Sequence, residues 1–93
     1  MIGHRVHAEP DGYLDNKKMA VPGSFGRVTS ESAQDTGLAF WQICCPDGDK
    51  GSLNPAVHTV TEHDDGTITV RPSIISPNTK WHGWLNAGVW SQA

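Results

Sequence analysis

The clearest structural signal in the sequence lies past the middle of the chain and reads Thr59-Val60-Thr61-Glu62-His63-Asp64-Asp65-Gly66-Thr67-Ile68-Thr69-Val70. β-Branched residues that alternate with polar ones on both sides of a turn signal are typical of a β-hairpin. A two-residue loop would place Val60 opposite Arg71, whereas a three-residue loop with its glycine in the left-handed region places Val60 opposite Val70. Only the second register gathers Val60, Ile68 and Val70 on one face. We therefore predict the bulged hairpin.

The C-terminal end of the chain predicts another hairpin. Asn86-Ala87-Gly88 fits a three-residue loop with its glycine in the left-handed region. Such a loop sets up two cross-strand pairs: Leu85 with Val89, and Trp84 with Trp90. Strand alternation also divides this segment into two faces, with Trp81, Gly83 and Leu85 on one and His82 and Trp84 on the other. At least one tryptophan is therefore expected to be less buried than the rest.

The remaining segments complete a mostly β chain. Leu38 to Cys45 is nearly all apolar, which predicts a strand buried on both faces and followed by a turn at Pro46-Asp47-Gly48-Asp49. Residues 1–37 are polar and interrupted, and they predict an extended arm or a wrapping loop that lies on a neighbouring molecule. We expect a single β-rich domain over residues 1–93, with its β core in residues 38–93. Its form would be a small antiparallel sandwich or a partly open barrel with an extended N-terminal arm.

Length, charge and hydropathy exclude several classes of function. With 93 residues, the chain is one small domain. Its formal net charge of −3 and its pI of about 5.9 offer no basic face to DNA or RNA. The sequence has no apolar run long enough to span a membrane. Its first residues also lack the apolar region of a secretory signal peptide.

The four tryptophans are the most unusual feature of the composition. One interpretation is that they add bulk to a small β core, since each buried tryptophan removes roughly 150–250 Å² from water. The other is that Trp81, Trp84 or Trp90 belongs to an exposed aromatic surface for a protein or a sugar. These three residues are the candidate binding residues.

Two adjacent cysteines and five histidines raise the question of a metal. A structural zinc site needs four ligands, usually cysteine or histidine in paired short spacings. Cys44, Cys45 and His82 stand in well-defined elements and are the candidate metal ligands. Without a metal, the two thiols are reduced and at least one is buried. The sequence contains no nucleophile elbow, no convincing pair of catalytic carboxylates and no phosphate loop, so we do not expect an enzyme.

Three motifs follow one another in the second half of the chain: Cys45-Pro46-Asp47-Gly48-Asp49, Thr67-Ile68-Thr69-Val70-Arg71-Pro72-Ser73-Ile74 and Trp81-His82-Gly83-Trp84-Leu85-Asn86-Ala87-Gly88-Val89-Trp90. Over residues 40–90 they resemble a family of small uncharacterised proteins of bacteriophages and mobile elements, often mislabelled as ammonia monooxygenase. The resemblance implies the same strand order and a zinc site, of which only Cys45 and His82 carry over. Asp47 and Asp49 stand where the family pattern has cysteines, so that zinc site would be degenerate here.

These expectations lead to a function without catalysis. We expect a protein-binding or structural module of a phage or prophage, such as a capsid or tail decoration protein or another accessory protein. Its partner would be another protein or a second copy of itself, in the host cytoplasm or in the virion, with no nucleic acid, membrane or cofactor. The alternative is a small zinc-stabilised domain with a regulatory or enzymatic role.

Overall fold

The computed structural model describes residues 1–31 and 41–93 of the chain. The fold is mostly β, as predicted, and the described strands form three sheets, none of which closes into a barrel. The elements in chain order are β1 (His4–Val6), α1 (Asn16–Met19), β2 (Ser24–Arg27), β3 (Trp41–Cys44), β4 (Lys50–Leu53), β5 (Thr59–Glu62), β6 (Ile68–Arg71), β7 (Ile74–Ile75), β8 (His82–Asn86) and β9 (Val89–Gln92).

The first sheet has four strands in the order β1-β2-β3-β4. β1 and β2 are parallel, whereas β2, β3 and β4 are antiparallel neighbours. The predicted strand from Leu38 to Cys45 corresponds to β3 from Trp41 onward, and its earlier part lies outside the described residues. Ile43 and Cys44 point to opposite faces and are both buried, as expected for a strand covered on both sides.

The bulged hairpin is confirmed as the pair β5–β6. Val60 lies opposite Val70, and Glu62 lies opposite Ile68. Gly66 has a φ of 86°, the left-handed conformation that glycine adopts without a steric penalty. Register in this hairpin therefore follows the buried face, because Ile68 and Val70 are both fully buried.

The predicted register of the C-terminal hairpin is wrong by one residue. Asn86 pairs with Val89, and Leu85 pairs with Trp90, so the loop has two residues rather than three. Its residues Ala87 and Gly88 both have positive φ, 46° and 77°, as a tight type I′ turn requires. Contacts with β6 hold this turn: the Ala87 N–H donates to Thr69 Oγ1 at 2.9 Å, and the Gly88 N–H donates to the Ile68 carbonyl at 3.0 Å. Hence Trp84 lies beside Ser91 and not beside Trp90.

All three sheets contribute side chains to one apolar core, which gives the molecule a sandwich-like arrangement. Its buried members are Phe25, Ile43, Cys45, Leu53, Ile68, Val70, Ile74, Leu85 and Trp90. Packing one core from every sheet lets a chain of this size remove enough apolar surface from water to fold. Among the described residues, no helix is long and apolar enough to cross a membrane.

The N-terminal segment, for which the sequence predicted an arm or a wrapping loop, connects two of the sheets. Ile2 forms a β-bridge with Val89, and the Gly3 N–H donates to the Gly88 carbonyl at 2.7 Å. The chain then enters the four-stranded sheet as β1 and, after α1, enters it again as the parallel strand β2. A second apolar cluster lies beneath α1 and consists of Val6, Leu14, Met19 and Val28. The described part of this segment therefore packs on its own chain.

Candidate functional site

The three candidate tryptophans occupy different environments. Trp90 is buried, with 2% of its surface exposed, and its indole N–H donates to the Gly23 carbonyl at 2.9 Å. Trp81 is half-buried and meets Trp90 edge-to-face, with ring centroids 5.7 Å apart. Trp84 points away from the core and is 39% exposed. The structure thus assigns Trp81 and Trp90 mainly to packing and leaves Trp84 on the surface.

Trp84 is part of a larger exposed surface that we call the outer face, the side of the β7–β9 sheet that points away from the core. Paired residues in a sheet share a face, so the register defines its members: Ile2, Ile75, His82, Trp84, Asn86, Val89 and Ser91. Four of them are large apolar side chains with 39% to 75% of their surface exposed, namely Ile2, Ile75, Trp84 and Val89. We call these four the diagonal stripe, because they run from β7 across β8 and β9 to the N-terminal residues.

The polar side chains of the outer face contact or hydrogen-bond neighbouring side chains. The His82 and Trp84 rings lie with centroids 6.0 Å apart at an angle of 35°, and His82 Nε2 is 2.9 Å from Ser73 Oγ. At the edge, an Arg71 N–H donates to Asn86 Oδ1 at 2.9 Å. None of the residues on the outer face is Asp, Glu, Lys or Arg.

Sequence reasoning found part of this surface. Alternation along β8 placed His82 and Trp84 on the face opposite Leu85, which is confirmed because Leu85 is buried and His82 and Trp84 are exposed. The predicted register set Val89 opposite Leu85 on the buried face, whereas Val89 lies on the outer face. Ile2 and Ile75 were missed. Their positions depend on pairing with distant strands, so no local pattern in the sequence indicates them.

The candidate metal ligands are not brought together. Cys44 and Cys45 are fully buried, and Cys45 packs among the apolar residues of the core. Burial raises the pKa of the Cys45 thiol to about 12 and also raises that of Cys44, so both are protonated near neutral pH. His82 faces outward in another sheet. Within residues 1–31 and 41–93 no three His, Cys, Asp or Glu side chains are grouped to hold a metal ion. These donors do not fit the zinc site that the resemblance implies.

The turn at Pro46–Asp49 has a different role in the described structure. The Asp49 carboxylate accepts hydrogen bonds from the Asn78 backbone N–H at 2.9 Å, the Asn78 side-chain amide at 2.9 Å and the Thr79 N–H at 3.1 Å. Asp47 accepts one from the Thr79 hydroxyl. We call these bonds from Asn78 and Thr79 to Asp47 and Asp49 the clasp. The clasp joins two turns that are about thirty residues apart in sequence. No pattern in the sequence predicts these bonds, since Asp in a turn ordinarily bonds only its own backbone.

A chain of hydrogen bonds connects the clasp to the main chain of Trp81. The Trp81 N–H donates to Ser76 Oγ at 2.9 Å, and the Ser76 and Thr79 hydroxyl oxygens lie 2.8 Å apart. The Thr79 hydroxyl donates to Asp47, so its oxygen can accept from the Ser76 hydroxyl. Ser76 is 1% exposed, so this chain satisfies a buried hydroxyl next to the core.

We expect the clasp to weaken in acid. Hydrogen bonds from Asn78 and Thr79 hold the pKa of Asp49 well below its ordinary value of 3.8. A group with a lowered folded-state pKa stabilises the fold above its unfolded pKa and loses that contribution as the pH falls through the folded value. Thermal unfolding should therefore show a Tm that falls more steeply below pH 4 in the wild type than in Asp49→Asn. Asp64→Asn, in an exposed hairpin loop, is the control and should keep the wild-type slope. Equal slopes for all three proteins would contradict this account.

Comparison with known proteins does not assign a family to this chain. No protein-family model, no curated protein and no solved structure matches it.

Proposed function

We propose that this chain is a non-catalytic protein-binding or structural module that binds its partner through the outer face. The observation that carries the proposal is the diagonal stripe: four large apolar side chains exposed on one continuous sheet face, with Trp84 in its middle. Exposed contiguous apolar surface with a polar rim is characteristic of interaction sites in small soluble domains. Tryptophan in the middle of such a patch is among the residues that contribute most to binding energy.

The environment of the other chemistry-bearing groups supports a role in binding. The two thiols are buried and protonated, and Asp47 and Asp49 are engaged in the clasp between two turns. The most concrete form of the proposal is a phage-type virion component, a decoration or accessory protein of a capsid or tail. The motifs in residues 40–90 that resemble a phage family support this form, as does a fold whose outer face is a sheet open to a partner.

Site-specific photo-crosslinking tests the proposal. A photoreactive phenylalanine analogue is incorporated in place of Ser91, in the cells that make the protein. Ser91 lies beside Trp84 on the outer face. We expect covalent protein adducts from position 91, and we expect Trp84→Ala in the same chain to remove them. The matched control carries the probe at Thr61, an exposed position of the β5–β6 hairpin, and should give none. Adducts of equal yield from both positions, or adducts that persist without Trp84, would refute binding through the outer face.

A further inference from the structure

We infer that the free edge of β1 is a second binding site, which accepts an extended acidic segment of a partner protein as an added strand. This site shares no residue with the outer face, so the inference goes beyond the proposed function. Three observations carry it: unpaired main-chain groups along β1, a groove beside them, and the charge of the side chains that line the groove.

The main chain of β1 has an unpaired edge, because β1 is the outermost strand of the four-stranded sheet. The His4 N–H donates to the Gly23 carbonyl at 3.1 Å, and His4 lies opposite Ser24 in the parallel ladder. Alternate residues of a strand bond one neighbour, so the N–H and C=O groups of Arg5 point away from β2. They have no hydrogen-bond partner in the described parts of the chain. Unpaired main-chain groups at a sheet edge are a template for another strand.

The unpaired stretch begins where pairing with the β8–β9 hairpin ends. The Gly3 N–H, two residues before Arg5, is bonded to the Gly88 carbonyl at 2.7 Å. His7, two residues after Arg5, has no main-chain hydrogen bond within residues 1–31 and 41–93. An added strand therefore lies alongside Arg5 and His7, just beyond the β8–β9 turn.

A groove of about 470 Å³ lies against β1. Its lining consists of four consecutive residues and three from the segment around α1 and β2: His4, Arg5, Val6, His7, Lys18, Val21 and Ser24. Successive residues of a strand point to opposite faces, so a groove lined by four in a row reaches the edge of the strand. Val6 and Val21 give it an apolar part for contact with side chains of the added strand.

The described side chains that line the groove include cations and no carboxylate. The ion pair between Lys18 and Glu9 spans 3.4 Å and joins side chains that are 64% and 43% exposed. Exposed pairs of this kind contribute little free energy, so a carboxylate of a partner can take the place of Glu9. Arg5 is already bound to Glu62 at 2.7 Å, so its charge is neutralised within the chain. Lys18 is therefore the cation that the groove offers to a ligand.

These features together favour an extended acidic peptide. Its main chain pairs with the N–H and C=O groups of Arg5, and its alternate side chains reach the groove. Carboxylates there meet Lys18, and the exposed imidazoles of His4 and His7 can donate hydrogen bonds to them. A small anion would leave the Arg5 carbonyl unpaired, and a basic segment would place like charges beside Lys18.

Nuclear magnetic resonance on the isotope-labelled full chain tests this inference. The probe is a short blocked peptide in which glutamate alternates with valine, and the control peptide has lysine in place of glutamate. We expect the acidic peptide, and not the basic one, to shift the Arg5 amide resonance and to slow the hydrogen exchange of that amide, because the amide becomes bonded. Added salt should weaken binding, because the charges in contact are exposed.

Two charge-reversal variants in α1 locate the binding. Lys18→Glu should raise the Kd of the acidic peptide at least about fivefold, since repulsion replaces attraction at an exposed pair. Lys17→Glu is the matched control, because Lys17 is exposed in the same turn of α1 but does not line the groove. It should bind within about twofold of the wild type. An Arg5 amide that neither shifts nor gains protection, equal weakening by both variants, or the same response to inorganic phosphate alone would overturn the inference.

Discussion

Replacing Gly83 with alanine is expected to destabilise the fold by about 3 kcal/mol or more, at the upper end of what overpacking costs. A Cβ at this buried position in β8 would collide with the Ser91 carbonyl of β9 and with the edge of the Trp81 ring. The carbonyl belongs to the β8–β9 ladder, the Trp81 main-chain N–H donates to Ser76 Oγ, and the Trp81 ring packs edge-to-face on Trp90. Neither neighbour can move without breaking other contacts.

Urea unfolding monitored by circular dichroism measures this effect, with the midpoint and the m-value read together. Gly51→Ala is the control, because Gly51 also lies in a strand, β4, and a Cβ there would come no closer than 3.3 Å to the Pro77 ring. We expect that variant to stay within about 1 kcal/mol of the wild type. If Gly83→Ala were no more costly than Gly51→Ala, the Trp81 ring could not be packed on β8 as the structure has it.

The two hairpins show which part of the fold the sequence determines locally. In β5–β6, a two-residue loop would have paired Val60 with Arg71 instead of Val70. Burial of the apolar face was therefore sufficient to predict the correct register. In β8–β9, both loops leave an apolar residue opposite Leu85: Val89 in one register and Trp90 in the other. The choice depends on contacts from β6 to the backbone of Ala87 and Gly88. These long-range contacts stabilise Ala87 in the left-handed region, a conformation that alanine by itself does not favour.

The candidate site could be predicted only where alternation within one strand was sufficient. Alternation along β8 predicted that Trp84 and Leu85 lie on opposite faces, and this is correct although the predicted register was wrong. Ile2 and Ile75 reach the same face through pairing with β9 and β8. The clasp between Asp49 and Asn78 likewise joins residues 29 apart. Both depend on tertiary contacts, which no local period in the sequence records.

The register of β8–β9 also divides packing from binding within one hairpin. Leu85 and Trp90 face each other on the inner side, where 0% and 2% of their surfaces are exposed, while Trp84 and Val89 are exposed on the outer side. In the predicted register, Trp84 would have paired with Trp90, and both rings would have shared one environment. The observed two-residue loop gives the two tryptophans separate roles, so their substitution should have unequal effects.

Trp90→Ala is accordingly expected to cost about 3–5 kcal/mol, a large part of the 5–15 kcal/mol that stabilises a typical domain. Trp90 packs against Trp81, pairs with Leu85 in the core, and bonds the Gly23 carbonyl in the turn before β2. Its removal therefore leaves a cavity at the point where β9, the N-terminal segment and the four-stranded sheet meet. Trp84→Ala, in the same hairpin, should cost less than about 1 kcal/mol, because its ring is already partly in water.

Chemical unfolding of the two alanine variants, with Trp90→Phe as a milder third, makes this comparison measurable even if Trp90→Ala does not fold. Phenylalanine keeps an aromatic ring in the core but cannot donate to Gly23, whose carbonyl still accepts the His4 N–H at 3.1 Å. We expect a cost of about 2 kcal/mol, or a Tm lower by roughly 8–16 °C. Equal costs for Trp84→Ala and Trp90→Ala would mean that both rings are packed alike. The outer face would then lose its exposed tryptophan, and with it the surface on which the proposed function depends.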